Sequence, residues 1–291
     1  MNKTTIDYIA IGQRLRAYRI AASLKAEDVA KRLNISRAAV YRLEKGELIK
    51  IETLDRLAVL LDTSLTSLLG VDNEYYSSGD GFFERMKQLE EQSSHIMSHF
   101  DPFSFLLMSD NYLQHLATML AEANLPQDSV KIAATLAILK ERKQNYLTHF
   151  PRILNLIGLQ NVEHLLHLGL IGNMNVSSEQ RKQRCYLAKQ EVCHLIDLLE
   201  LHGNKIEIAI TQESIPSLTF QIFYQQQQPL ALAVSPFRLG ELPNVTTGIA
   251  SITASHEAIK RYQQLFHRLW QNSAKNQQAI DLLKTTVMRY E

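Results

Sequence analysis

Along the first 70 residues, apolar side chains recur at three- and four-residue spacing in short, separately punctuated runs. That pattern predicts a set of short helices. A first helix is expected over residues 8–22, with Ile11, Leu15, Tyr18 and Arg19 near one face, and a second from Ala26 to Leu33, burying Val29, Ala30 and Leu33. Asn34-Ile35 reads as the turn between helices, since asparagine tolerates the left-handed backbone that tight turns demand. Ser36 then suits an N-cap, because its hydroxyl can accept an orphan backbone N–H. Gly46 is a stop signal after Lys45. Between them, Ala39, Val40 and Leu43 form a narrow apolar seam, and Arg37, Ala38, Tyr41, Arg42 and Lys45 occupy the opposite face. A fourth helix over Ile51–Leu61 carries Leu54, Leu57, Ala58 and Leu61, and Ser64 caps a last short turn with Leu65, Leu68 and Leu69. Five helices this short can bury only one shared core.

Residues 71–81 are rich in glycine, serine and acid and read as a linker. Beyond them helical spacing returns over Phe82–Phe100, Ser109–Ala123, Asp128–Leu147 and Ser178–His202, punctuated by Pro102, Pro126 and Pro151. From Lys205 the period becomes two. Ile206, Ile208 and Ile210 alternate with Glu207 and Ala209, and Leu218–Tyr224, Leu230–Ser235 and Thr246–Thr253 read as further strands. Gln225–Pro229 reads as a hairpin connection. Ser255 caps a helix bearing Ile259, Tyr262, Leu265, Phe266, Leu269 and Trp270, and one more helix follows. The expected architecture is mainly α with an α+β C-terminal part: a five-helix module over 1–70, a linker, and a larger helical domain over 82–291 ending in a small antiparallel sheet and helices.

Charge adds a gradient to this division. The 291 residues carry a net charge of +1, but the first 70 hold 12 Lys+Arg against 8 Asp+Glu. A mildly basic head on a mildly acidic body fits a small nucleic-acid-binding module joined to something else. A helix with arginines on its free face suits the major groove of DNA, where arginine can make paired hydrogen bonds to guanine.

Residues 11–69 resemble the lambda-repressor-like (Cro/cI, XRE-type) helix-turn-helix domain. The stretches that carry the resemblance are Ile11-Gly12-Gln13-Arg14-Leu15-Arg16, Asp28-Val29-Ala30-Lys31-Arg32-Leu33-Asn34-Ile35-Ser36 and Val40-Tyr41-Arg42-Leu43-Glu44-Lys45-Gly46, completed by Leu54-Asp55-Arg56-Leu57-Ala58-Val59-Leu60-Leu61. The resemblance implies that Ser36, Arg37, Ala38 and Arg42 meet base edges or flanking phosphates. It implies that Lys45 and Lys25 contact phosphates, which fix register without reading sequence. Tyr41 shares their face. The resemblance also implies a structural ion pair between Arg19 and Glu44. One departure weakens the match: Lys25 and Ala26 stand where the family usually places Ser or Thr followed by Gln, so a cap and a phosphate-binding amide are missing. Glu27 and Asp28, at the positive end of the helix dipole, can offset the lost cap.

The remaining chemistry is sparse. Ten histidines invite a metal, and His164 and His167 share a helix face while Cys193 adjoins His194, but no metal-ligand spacing accompanies them. Cys185 and Cys193, eight residues apart on one helix, point about 80° apart and make no disulfide framework, which suggests a reducing, cytoplasmic setting. No stretch approaches the roughly 20 apolar residues of a membrane span. Neither a phosphate-cradling glycine loop nor a nucleophile elbow appears, and no cofactor and no catalytic residue is expected. The most suggestive stretch is Ala233-Val234-Ser235-Pro236-Phe237-Arg238-Leu239-Gly240, where a strand runs into a loop and Arg238 could hold an anionic ligand. The expectation is a sequence-specific transcriptional regulator, a homodimer on a near-palindromic double-stranded DNA operator. Its C-terminal domain would pair two chains and is a candidate sensor of a small-molecule effector. The alternatives are an enzyme with a fused DNA-binding head and an antitoxin-like interaction protein.

Overall fold

A computed structural model describes residues 7–47, 50–70, 73–100, 102–123 and 129–290. The head follows the expected order: α1 (Tyr8–Ala21), α2 (Ala26–Leu33), α3 (Arg37–Glu44), α4 (Ile51–Leu60) and α5 (Leu65–Leu69). Local chemistry sets its boundaries. Asp7 caps α1 by accepting from the Ala10 amide, Ser36 caps α3 by accepting from the Ala39 amide at 3.1 Å, and Ser64 caps α5 through the Ser67 amide. Asn34 ends α2 in the left-handed region at φ 58°, as the turn requires. Lys25 gives no side-chain cap, and the first turn of α2 is tied instead by the Asp28 carboxylate, which accepts the Lys25 backbone N–H at 2.8 Å. Leu15, Val29, Val40, Leu57 and Leu68 are fully buried and knit the five helices together.

The rest of the chain builds one eight-stranded sheet from β1 (Asn73–Tyr76), β2 (His95–His99), β3 (Arg152–Gly158), β4 (Ile206–Thr211), β5 (Thr219–Gln225), β6 (Gln228–Ser235), β7 (Ala250–Thr253) and β8 (Ala274–Lys275). The strand order is β1-β7-β6-β5-β2-β3-β4-β8. The β2–β3 and β3–β4 pairs are parallel and the others antiparallel. On one face lie α6 (Gly79–Gln92), α7 (Tyr112–Glu122), α8 (Ser129–His149), α9 (Leu159–Leu168), α10 (Ser178–His202) and α12 (Gln277–Arg289). The other face is covered by α11 (His256–Gln271), whose Ile259, Phe266 and Leu269 pack on Leu156, Phe220, Ile222 and Leu232. The α+β class holds, but the sheet corrects the expectation of a small antiparallel one.

Four of the eight strands, β1, β2, β3 and β8, were not predicted. The helix predicted over Phe82–Phe100 ends at Gln92, and β2 follows. β3 was not assigned. In β2, Ile96 and Ser98 face the helical layer while Met97 packs towards α11, so both faces are buried and the hydropathy does not alternate. The hairpin is tighter than expected, since only Gln226 and Gln227 separate β5 from β6, and Gln226 takes φ 57°. Pro126, the start predicted at Asp128, and Val71 and Asp72 of the predicted linker lie outside the described residues.

The larger correction concerns the linker itself. Residues 73–76 form β1, hydrogen-bonded antiparallel to β7, and α6 begins at Gly79. Every residue of α6 from Gly79 to Glu90 is buried, although six of its fourteen residues are charged. It packs between α1 of the head and α8, above β5. Gly81, read as part of the linker, is a point of close approach: a Cβ there would collide with that of Ala21 in α1. Tyr18 of α1 stacks on Tyr76 of β1 with centroids 4.8 Å apart, and its hydroxyl accepts from the Tyr75 amide. Head and body therefore share one hydrophobic core.

A buried charge cluster completes this junction. Glu74 accepts from Arg85 at 3.0 Å and from the Tyr76 hydroxyl at 2.7 Å, while Arg14 approaches it at 3.8 Å and donates to the carbonyls of Leu68 and Leu69. Burial lowers the Arg14 pKa and raises that of Tyr76 well above its usual value. Burial also penalises charged Arg85, but Glu74 together with Tyr76 and Tyr18 outweighs it, and the Arg85 pKa stands above its usual value. Further along α6, Glu84 pairs with Arg16 at 3.0 Å, and Gln88 donates to the carbonyl of Gln13. Three successive turns of α6 thus grip α1.

Candidate nucleic-acid interface

The turn between α2 and α3 projects α3 outward. Its inner face buries Val40 and Glu44, and Glu44 takes two hydrogen bonds from Arg19 of α1, at 2.5 and 3.1 Å. A third bond from Arg19 goes to the Leu24 carbonyl. Gly12 lets the two helices approach, for a Cβ there would lie 2.6 Å from the Glu44 carbonyl oxygen. This ion pair fixes the roll of α3, and so decides which side chains face outward.

Those that do are the ones the sequence singled out. Ser36, Arg37, Ala38, Tyr41, Arg42 and Lys45 are all exposed, as is Lys25 at the start of α2. The Arg37 side chain is 60% exposed. It lies 2.9 Å from Glu27 of α2, donates to the Tyr41 hydroxyl at 3.2 Å, and stands over the Tyr41 ring with its guanidinium carbon 5.4 Å from the centroid. The Tyr41 bond and Glu27 together hold its pKa above the ordinary arginine value. Arg42 is 61% exposed and sits 3.5 Å from Glu47. Exposed ion pairs of this kind contribute only about 0–1 kcal/mol, so both guanidinium groups can exchange a carboxylate for a phosphate or a base edge at little cost. The sequence reading overlooked the partners: Glu27 and Glu47 as competitors for the arginines, and the Arg37–Tyr41 pair. The four-residue spacing of Arg37 and Tyr41 was the available signal for the latter.

Elsewhere the chemistry stays dispersed. Among the described residues no three His, Cys, Asp or Glu side chains gather as metal ligands, and no helix is long and apolar enough to cross a membrane. His164 pairs with Glu241 at 2.9 Å, and Cys185 donates weakly to the His167 carbonyl. Burial raises the pKa of both cysteine thiols. Arg238 forms a two-bond backbone bridge with Asn244 and lines a narrow cavity beside α6.

No curated protein and no solved structure matches this chain. Residues 10–69, about a fifth of its length, match the family model of the helix-turn-helix domain, which supports a helix-turn-helix DNA-binding domain over this segment.

Proposed function

We propose that the chain is a sequence-specific transcriptional regulator that acts as a homodimer on a near-palindromic operator. Arg37 and Arg42 read bases, with Ser36, Ala38 and Tyr41 beside them, and Lys45 and Lys25 hold phosphates. The observation that carries this reading is the two-sided character of α3: one side locked inward by Val40 and the Arg19–Glu44 pair, the other presenting two arginines about 60% exposed. Each arginine that meets a guanine edge bidentately contributes roughly 1–3 kcal/mol of discrimination.

Dimerisation follows from number. One module of this size reaches few phosphates, and two copies joined through their C-terminal domains place two such helices about 34–36 Å apart, one turn of the duplex. We read that domain as serving pairing and sensing, without catalysis. Selection of a binding site from random duplex DNA, repeated with Arg37→Ala and Arg42→Ala, tests the base-reading role. Each variant is expected to lose preference at one or two positions of each half-site, with its melting temperature unchanged. Unchanged preference in both would refute it. A sedimentation profile that stays monomeric on and off a two-half-site duplex would refute the pairing.

A further inference from the structure

The helix-facing side of the sheet carries a polar stripe where apolar residues would be expected. Gln221 of β5 lies opposite Ser98 of β2, which lies opposite Asn155 of β3. All three are buried, at 4%, 1% and 0% exposure. Burying a polar group costs free energy unless it is hydrogen-bonded. Asn155 satisfies this, accepting from the Ser104 amide at 3.1 Å and donating to the Leu156 carbonyl, and Ser98 bonds to Asn155 at 3.4 Å. The Gln221 amide has no partner among the described residues. It lines a cavity of about 30 Å³ between β5 and α6, walled mainly by Phe82, Phe83, Phe105 and Phe237. Arg142 also reaches the cavity, but its charge is matched by Glu90 through bonds of 3.0 and 2.6 Å, and its guanidinium lies over the rings of Phe83 and Phe105.

We infer that this cavity is a ligand site for a flat, uncharged aromatic molecule bearing one carbonyl or amide group, and that its occupation is transmitted to the DNA-binding head through α6. The inference rests on the regulator reading above and gives the sensing domain a site and a chemistry. The aromatic walls offer ring stacking. The Gln221 amide supplies one acceptor and two donors with nothing among the described residues to use them. Of the two cations on the lining, Arg238 is exposed and Arg142 is already neutralised by Glu90, so an anion drawn inside would compete with a buried ion pair, and this favours an uncharged occupant.

The transmission follows from the size. An apolar cavity of roughly 150 Å³ is needed to hold a benzene ring, so an aromatic occupant must displace wall residues. Phe82 and Phe83 belong to α6, whose next residues inward and along, Gly81, Glu84 and Gln88, touch Ala21, Arg16 and Gln13 of α1. A ligand that binds only the widened cavity shifts the population of α6 positions, and with it the seat of the head.

Saturation-transfer NMR on the full chain, with benzamide and toluene as probes, tests the site. Benzamide is expected to bind the wild type. Gln221→Leu, which nearly preserves volume and removes the amide, is expected to weaken it about tenfold while leaving toluene unaffected. Should Gln221→Leu fail to fold, Gln221→Met reads the same loss. Absence of benzamide binding to the wild type, or equal affinity in the variant, overturns the site. Amide hydrogen exchange in α1 and α6, with and without saturating benzamide, tests the transmission: altered exchange in both helices supports it, and unchanged exchange in α1 overturns it. Neither measurement contains DNA, so a failed operator selection counts against the base-reading helix and leaves this result standing.

Discussion

Helices α3 and α6 are both rich in charge, and the protein uses them in opposite ways. On α3 the arginines stand in solvent with loosely held carboxylates. On α6 every charge from Asp80 to Glu90 is buried, and Arg85, Glu84, Lys87 and Glu90 are each matched within 3.0 Å by a carboxylate or a cation. A charge in water is cheap to re-partner, and a charge in a core is held by the full cost of leaving it alone. The first arrangement suits a surface that must exchange partners. The second suits a joint that must transmit position without slipping.

Breaking the joint gives the largest expected effect. Arg85→Leu takes the closer cation from the buried Glu74 and leaves it only Arg14 at 3.8 Å, and should destabilise the whole chain by about 3–5 kcal/mol, read in urea unfolding. A loss below about 1 kcal/mol would show that the cluster is not the clamp described. Next comes a buried cation that keeps its charge at a cost. Lys143 donates to the carbonyls of Leu106 and Met108, and burial pulls its pKa from 10.5 to about 8. The unfolded chain therefore binds more protons than the folded one between about pH 8 and pH 10.5, and stability from this group rises with pH across that window, by up to about 3 kcal/mol. Lys143→Met should remove that rise, and an unchanged slope would contradict it.

Steric separation of α6 from α1 follows. Gly81→Val forces the helices apart at Ala21 and should cost about 1–3 kcal/mol, with faster amide exchange in α1. Exchange unchanged in α1 would mean that the head does not depend on this contact. The smallest effect belongs to the exposed helix. Glu27→Gln frees Arg37 from its surface carboxylate and should leave stability within about 0.5 kcal/mol while tightening DNA binding a few-fold. Weaker binding would indicate that Glu27 orients Arg37 for its target.

The head was legible because its signals are local. Ser36, Asn34 and Gly46 act on neighbours within four residues, and Val29, Val40 and Leu57 mark their faces by spacing alone. The arginine-bearing face of α3 was readable for the same reason. The linker was misread because glycine, serine and acid carry two meanings. Gly81 permits close packing, not motion, and Glu74 is charged because Arg85 and Arg14 lie beside it in space. The strands β2 and β3 escaped because burial on both faces erases alternation. Arg238 was noticed for its charge, whereas Gln221, which carries no sequence signal at all, faces the cavity with an unused amide.

By itself the sequence determined the five-helix head, its turn and the outward set of Arg37, Tyr41, Arg42 and Lys45, since each depends on hydrogen bonds and periodicity within a few residues. Only the tertiary structure decided that the head has no free tether. Tyr18 meets Tyr76, Arg16 meets Glu84 and Ala21 meets Gly81 across separations of about sixty residues. Such contacts depend on where distant elements come to rest, which no local pattern of polar and apolar residues encodes.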